Sequence, residues 1–132
     1  MRNYSVKITF LLLFGLASCA GSRNAKLRFV ADWKETWGIG QKTDVDYQDV
    51  YTISLEGGAL ALNCAARKHY RFEALAQTGN NFVFTLVVRD DKYSTGPSAT
   101  NYQLKLNSNG SAMDGTATDK DGKKFKVRWD KQ

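Results

Sequence analysis

The stretch Asn101–Lys131, NYQLKLNSNGSAMDGTATDKDGKKFKVRWDK, contains the clearest structural signal in the chain. Three runs of alternating apolar and polar residues are separated by the turn sequences Asn109-Gly110 and Asp121-Gly122. Strict alternation is typical of a strand with one buried face. Asn-Gly and Asp-Gly tolerate the positive φ angles that hairpin turns require. The stretch therefore predicts three consecutive antiparallel strands joined by tight turns.

The same pattern continues towards the N-terminus, where turn residues recur at Glu56-Gly57-Gly58 and at Gln77–Asn80. Eight candidate strands span residues 29–37, 50–56, 59–66, 70–77, 81–89, 101–107, 111–118 and 124–130. Most connections are too short for parallel crossovers, so the sheet should be antiparallel. We predict an all-β domain with little helix beyond a turn near its start. A single eight-stranded up-and-down barrel is the expected form, because closure removes the exposed edges. A two-sheet β-sandwich has almost the same sequence pattern and is the alternative.

Alternation also predicts which side chains face the interior of the barrel. The inward rows are rich in aromatic residues, among them Trp33, Trp37, Tyr51, Tyr70, Phe72, Phe82, Phe84, Tyr102, Phe125 and Trp129. Small residues share these rows, namely Ala66, Ala74, Ala76, Gly115 and Ala117. An eight-stranded barrel either fills with side chains or holds one small ligand, and the sequence leaves both readings open. A pocket would be lined by Trp33, Tyr51, Phe72, Phe84, Tyr102 and Trp129, with Glu35 and the tyrosine hydroxyls as its polar groups.

The N-terminal segment 1–22, MRNYSVKITFLLLFGLASCAGS, is typical of a secretory signal. Arg2 and Lys7 precede an apolar run of about nine residues, well short of the roughly 20 that a spanning helix needs. Residues 16–19, Leu-Ala-Ser-Cys, resemble a bacterial lipobox, which implies cleavage before Cys19 and lipidation of that cysteine. Acyl chains such as palmitate on Cys19 would anchor the chain to a membrane.

Processing before Cys19 would divide the chain into a signal peptide (1–18), a lipidated cysteine with a tether (19–28) and a barrel domain (29–132). Removal of 18 residues, which include Arg2 and Lys7 and no acidic residue, leaves 114 residues and lowers the net charge from +6 to +4. The residue after Cys19 is Ala20, whereas in many lipoproteins an Asp at this position marks retention in the inner membrane. We therefore expect an outer-membrane lipoprotein of a Gram-negative cell envelope, facing the periplasm.

The segment Asn101–Lys131 resembles the closing hairpins of small bacterial lipocalin-like lipoproteins, with Trp33 on the corresponding first strand. The resemblance covers residues 29–131 in pattern and implies a barrel that binds a small ligand. Two features depart from it. Trp33 follows Ala31-Asp32 where lipocalins usually have Gly-x-Trp, and Arg128, the candidate for a basic residue packed across that Trp, points outward by alternation.

The sequence offers no convincing catalytic or metal centre. Cys64 lies in an apolar row and His69 beyond a turn, so we read them as a buried thiol and a surface histidine rather than a nucleophile and its base. The acidic groups at 44–49 and 119–122 lack the further ligands of a calcium loop, and the second is explained by turn chemistry. We expect a non-catalytic protein without a cofactor.

Basic residues form two outward clusters, at 67–71 and at 120–128. We favour a solvated outer face, with anionic lipid headgroups or envelope polymers as the alternative, and no nucleic acid, because the predicted address is the cell envelope. The longest connection, 90–100, contains the only proline, Pro97. The leading hypothesis is a binding protein for a small apolar or amphipathic ligand. The second is an envelope protein-interaction module, an inhibitor or assembly partner, that uses this connection and Arg71.

Overall fold

A computed structural model describes residues 23–37, 49–88 and 98–132. The eight strands are β1 (Ala31–Trp37), β2 (Val50–Glu56), β3 (Ala59–Asn63), β4 (Tyr70–Thr78), β5 (Asn81–Val88), β6 (Ser98–Leu106), β7 (Ala112–Thr118) and β8 (Lys124–Lys131). All belong to one nearly closed, barrel-shaped antiparallel sheet. The predicted barrel is therefore confirmed, and the two-sheet sandwich is not what the chain forms.

The strand order is β3-β2-β1-β8-β7-β6-β5-β4, so the first strand pairs with the last. In that pairing Glu35 lies opposite Trp129 and Trp37 lies opposite Val127. β3 and β4 are the two ends of the hydrogen-bonded order. The seam of the barrel thus lies between β3 and β4, in the middle of the sequence.

The barrel has two different ends. At the closed end lie the start of β1, the end of β8 and the short turns after β2, β4 and β6. A helical turn at 23–27, within the segment predicted as a tether, packs across this end. Lys26 Nζ donates to the Gly58 carbonyl at 2.8 Å, and Arg28 Nη1 donates to Asn80 Oδ1 at 2.9 Å. At the opposite end, which we call the mouth, lie Trp37, residues 64–69 and the turn 119–123.

The core follows the predicted alternation along most strands. Residues of the inward rows such as Trp33, Phe82, Met113 and Trp129 are fully buried, while Lys105 and Lys126 are exposed on the outer face. This alternation places one continuous apolar cluster inside the sheet. No helix in the described ranges is long and apolar enough to cross a membrane.

β4 departs from the predicted alternation. Its pairing with β5 shifts register between Glu73 and Ala76, and Ala74 has a φ of 54°. A bulge of this kind adds one residue to a strand and reverses the faces beyond it. Ala74 and Ala76, predicted to point inward, are therefore exposed, and Leu75 packs against the core instead.

Three other sequence predictions were wrong at strand ends. β3 ends at Asn63 rather than at 66, so Ala66 lies in a turn and is exposed. β6 begins at Ser98, so the predicted connection 90–100 is shorter at its C-terminal end. β1 begins at Ala31, because the preceding residues form the turn that follows the helical segment.

Gly115 of β7 does not provide the interior space that its small size suggested. A Cβ atom built on it would lie 1.8 Å from the backbone oxygen of Gln103 on β6. Only a residue without a side chain allows the two backbones to approach this closely. Gly115 therefore permits strand contact rather than making room for a ligand.

Candidate functional site: a buried carboxyl group beneath an aromatic mouth

The six side chains predicted to line a pocket all lie on the inner face. Trp33, Tyr51, Phe84, Tyr102 and Trp129 are between 0% and 2% exposed, whereas Phe72 is half-buried. They contact one another directly. The Tyr51 and Trp129 rings are stacked with centroids 4.5 Å apart, and the Phe84 and Tyr102 rings are stacked at 4.6 Å.

This packing decides where a ligand could be held. Atoms that line a cavity large enough for a water molecule are accessible to water. The five buried side chains have almost no accessible surface, so no such cavity borders them. The barrel is therefore filled around them, as most protein interiors are. Of the predicted set, only Phe72 borders space that a ligand could enter without rearrangement of the core.

Glu35 is the one buried charged or polar residue of the described core, with 2% exposure. Its carboxyl group is bonded by side chains from three strands. Oε1 accepts hydrogen bonds from the Trp37 indole and, at 3.4 Å, from the Tyr51 hydroxyl. Oε2 accepts from Trp129 Nε1 at 2.7 Å. The sequence predicted Glu35 as a polar group of the interior, and the structure shows it as the centre of a hydrogen-bond network.

Burial has a large effect on Glu35 because no cationic side chain of the described residues pairs with it. Desolvation disfavours the charged carboxylate and raises the pKa of Glu35 to about 7. The hydrogen bonds from Trp129 and Trp37 act in the opposite direction, since they stabilise the charged form. Desolvation outweighs them.

Three tyrosines surround this carboxyl group. Burial raises the pKa of Tyr51 and of Tyr102, and it raises the pKa of Tyr70 to about 12. All three hydroxyls are therefore protonated near neutral pH. The Tyr102 hydroxyl is buried and has no hydrogen-bond partner within bonding distance in the described part of the chain.

The mouth differs from the filled half below it. Its inward side chains are apolar but only half-buried, and they come from five strands: Trp37, Leu62, Tyr70, Phe72, Val88 and Phe125. The Trp37 and Phe125 rings lie 5.2 Å apart, and Trp37 meets the Tyr102 ring edge-on at 6.2 Å. Lys123 Nζ lies 5.2 Å from the centroid of the Phe125 ring, which places a cation at the rim. We call this set the mouth ring.

At the mouth, beside the seam between β3 and β4, Asp49, Arg67 and Tyr70 form a polar cluster. The carboxylate of Asp49, just before β2, accepts from Arg67 Nε at 3.2 Å and from the Tyr70 hydroxyl at 3.5 Å. Cys64 lies nearby, is 2% exposed, and has its pKa raised by burial. Its neighbour in the sequence prediction, His69, is exposed and makes an edge contact with the Tyr70 ring. The arrangement matches the expectation of a buried thiol and a surface histidine.

Several other predicted features can be placed. Asp119 Oδ1 accepts hydrogen bonds from the backbone N–H groups of Asp121 and Lys123, both at 2.9 Å. These bonds agree with the prediction that turn chemistry explains the acidic residues at 119–122. Within the described ranges no three histidine, cysteine or acidic side chains are grouped as a metal site would need. Cys19, the acidic residues Asp44 and Asp46, and residues 90–97 of the long connection lie outside the described residues.

Sequence reasoning missed the basic residue that packs on Trp33. Arg128 points outward, as alternation predicted, and bonds Asp130 at 3.0 Å. Lys131 occupies the place instead, with Nζ 5.2 Å from the Trp33 ring centroid. Its position directly opposite Trp33 in the β1–β8 register was the available signal, but it depended on knowing which strands pair.

The outer face carries an open depression of about 350 Å³ across β5, β6 and β7. Its lining includes Val83, Gln103, Lys105, Asp114 and Gly115. The only buried side-chain polar atom left without a partner in the described ranges is the Tyr102 hydroxyl, which lies inside the barrel rather than here. We take the mouth as the candidate site, because its inward-facing apolar side chains are only half-buried.

Comparison of the chain with family profiles, with curated proteins and with solved structures finds no significant match. The resemblance to lipocalin-like lipoproteins thus stays a prediction, and the case for function depends on the geometry of the mouth.

Proposed function

We propose that this chain is a non-catalytic, lipid-anchored envelope protein whose barrel binds one small apolar or amphipathic molecule at the mouth. The observation that carries the proposal is the contrast between the two halves of the interior. The lower half is filled with fully buried rings, whereas the mouth ring leaves six apolar side chains half-buried. Concave apolar surface with a few polar groups at its base is the usual form of a small-molecule site.

The ends of the barrel determine how the proposed anchor would orient the protein. The helical turn 23–27 packs at the closed end, and Cys19 precedes it by only four residues. A lipid on Cys19 would thus attach the barrel by its closed end. The mouth would face away from the outer-membrane surface, in the periplasm, where a ligand can enter it.

A fluorescence titration tests the proposal. N-phenyl-1-naphthylamine is neutral and becomes fluorescent in apolar surroundings, so its emission reports occupancy. We expect saturable one-to-one binding by the protein. Phe125→Ala and Phe72→Ala should each weaken binding about tenfold, since each removes a half-buried ring worth roughly 1.5 kcal/mol of contact.

Val83→Ala is the matched control, because Val83 is half-buried on the outer face and does not border the mouth. Its affinity should equal that of the unsubstituted protein. Circular dichroism and a thermal melt establish that each variant is folded. Absence of saturable binding by the unsubstituted protein, or equal affinities for all four proteins, would contradict the proposal.

A second candidate function is favoured by the filled lower interior, since a barrel without a ligand can still serve as a rigid binding partner. In this alternative the protein is an envelope inhibitor or assembly partner, and the exposed basic residue Arg71 contacts another protein. A photo-crosslinking amino acid at position 71 in intact cells would then trap one dominant partner. The same group at position 83 is the control and should trap none.

A further inference from the structure

The Glu35 carboxyl group is better suited to the interior when it is protonated. A buried carboxylate without a counter-charge is costly even when hydrogen-bonded, and no salt bridge of the described residues involves Glu35. The three side chains that bond it are all donors to the carboxylate. They reduce the cost of the charge but do not neutralise it.

The protonated form has an acceptor available. A carboxylic acid must donate its hydrogen, and indole N–H groups can only donate. The hydroxyls of Tyr51 and Tyr102 can accept, and the Tyr102 hydroxyl is buried without a partner. When its hydroxyl donates towards the carboxylate, Tyr102 lowers the pKa of Glu35; turned the other way, the same hydroxyl can accept from the neutral carboxyl group. A hydrogen bond from the neutral carboxyl group to the Tyr102 hydroxyl would therefore satisfy both groups.

Trp37 is the least buried of the three donors. Trp129 and Tyr51 are 0% and 1% exposed and stack on each other at 4.5 Å, so they are fixed by packing. Trp37 is half-buried at the last position of β1 and lies between the carboxyl group and the mouth. If its indole turns outward, Nε1 can bond water and water can reach Glu35.

We propose that Glu35 is a proton-controlled positioning residue for Trp37, so that the protonated carboxyl group keeps the indole packed across the interior and loss of the proton turns it outward. Acidification then closes the top of the core, and a rise in pH opens it to water. This inference concerns the ligand-free chain and does not depend on the proposed binding function.

Among the described residues, the other groups that face Glu35 do not compete for this role. Tyr51 from β2, Tyr70 from β4 and Tyr102 from β6 all have raised pKa values and stay neutral through the relevant range. Asp49, before β2, is paired with Arg67. From β8 the contact is Trp129, which does not titrate.

Linkage fixes the direction and the size of the effect. The carboxyl pKa is about 7 in the closed state, and the ordinary value of 4.5 applies once it is hydrated. The ratio of open to closed molecules therefore rises about 30-fold between pH 5.5 and pH 8.5. Below pH 4.5 both states are protonated, and the ratio no longer changes.

Hydrogen exchange of the three indole N–H groups measures this ratio directly. The protein is labelled with ¹⁵N, the Trp37 signal is assigned with Trp37→Phe, and each exchange rate is divided by that of an unfolded tryptophan peptide at the same pH. We expect the protection of Trp37 Nε1–H to fall about 30-fold from pH 5.5 to pH 8.5. Trp33 Nε1–H, which donates to the Phe29 carbonyl at 2.8 Å, is the internal control and should change little.

Two variants separate Glu35 from other causes. Glu35→Gln cannot ionise, so the protection of Trp37 should be the same at both pH values. Histidines titrate in the same range, so His69→Gln is the matched control and should keep the 30-fold fall. If Glu35→Gln does not fold, the ¹³C shift of the Glu35 carboxyl carbon in the unsubstituted protein replaces it, and its titration midpoint should coincide with the loss of protection.

The proposal is overturned if Trp37 is equally or better protected at pH 8.5, if the fall persists in Glu35→Gln, if His69→Gln abolishes it, or if the carboxyl carbon does not titrate in this range. Failure of ligand binding leaves these readouts unaffected, because no ligand is present in the measurement.

Discussion

The buried carboxyl group should make the stability of this barrel depend on pH in an unusual direction. Most paired carboxyl groups have lowered pKa values and stabilise proteins as the pH rises. The pKa of Glu35 is raised instead, from 4.5 to about 7. The folded chain therefore holds this proton more tightly than the unfolded chain, and the resulting stability is fully present below pH 4.5 and is lost as the pH rises through 7.

The size of the effect follows from the shift. Each pKa unit corresponds to about 1.4 kcal/mol, so the whole displacement is worth about 3 kcal/mol, of which about 2 kcal/mol falls between pH 5.5 and pH 8.5. This value is an upper bound, because a native barrel that opens at Trp37 can ionise Glu35 at the cost of the opening alone.

Urea unfolding followed by tryptophan fluorescence at pH 5.5, 6.5, 7.5 and 8.5 measures the effect, with Glu35→Gln as the reference at each pH. Other titrating groups contribute equally to both proteins and cancel in the difference. We expect the free energy of unfolding of the unsubstituted protein to fall relative to Glu35→Gln by up to about 2 kcal/mol across this range. A difference that is constant, or that changes in favour of the unsubstituted protein as the pH rises, would contradict the conclusion that burial raises the pKa of Glu35.

Three further predictions follow from the fold and from burial. Gly115→Ala should lower the free energy of unfolding by at least about 2 kcal/mol in urea titrations, because its Cβ would overlap the Gln103 carbonyl oxygen; unchanged stability would show that β6 and β7 are not so close. Ala74→Gly should stabilise the protein by about 0.5–1 kcal/mol, since glycine adopts the φ of 54° without strain, and a lower melting temperature would contradict the bulge. The Cys64 thiol, 2% exposed, should react with Ellman's reagent only after unfolding; rapid reaction of the native protein would mean that the thiol is accessible.

The barrel could be predicted because its decisive signals are local. Asn109-Gly110 and Asp121-Gly122 mark turns whose glycines have positive φ in the structure, and alternation then assigns faces one strand at a time. Alternation predicted the wrong face for Ala74 and Ala76, because a single extra residue in β4 reverses the faces beyond it. Nothing in the alanine side chain signals a bulge, because the left-handed conformation there is imposed by the pairing of β4 with β5.

The sequence predicted which residues face the interior at the candidate site, but not which of them contact one another. Alternation placed Glu35 and the aromatic rows inside, and the structure agrees. It could not show that Trp37, Tyr51 and Trp129 converge on one carboxyl group, since only Trp37 shares a strand with Glu35 and the other two donors come from β2 and β8. It also could not show that the lower rings fill the core. The packing of side chains across the interior, rather than their inward direction, decides whether space remains.

Methyl-labelled NMR with N-phenyl-1-naphthylamine shows whether the interior divides into a filled lower half and an apolar mouth that binds. Leu62 and Val88 carry methyl groups in the mouth ring, Leu106 lies in the buried core, and Val83 lies on the outer face. We predict saturable shifts of the Leu62 and Val88 methyl signals, with those of Leu106 and Val83 unchanged. Shifts confined to Val83, or no saturable shift at any of the four, would contradict the claim that the mouth binds small apolar molecules.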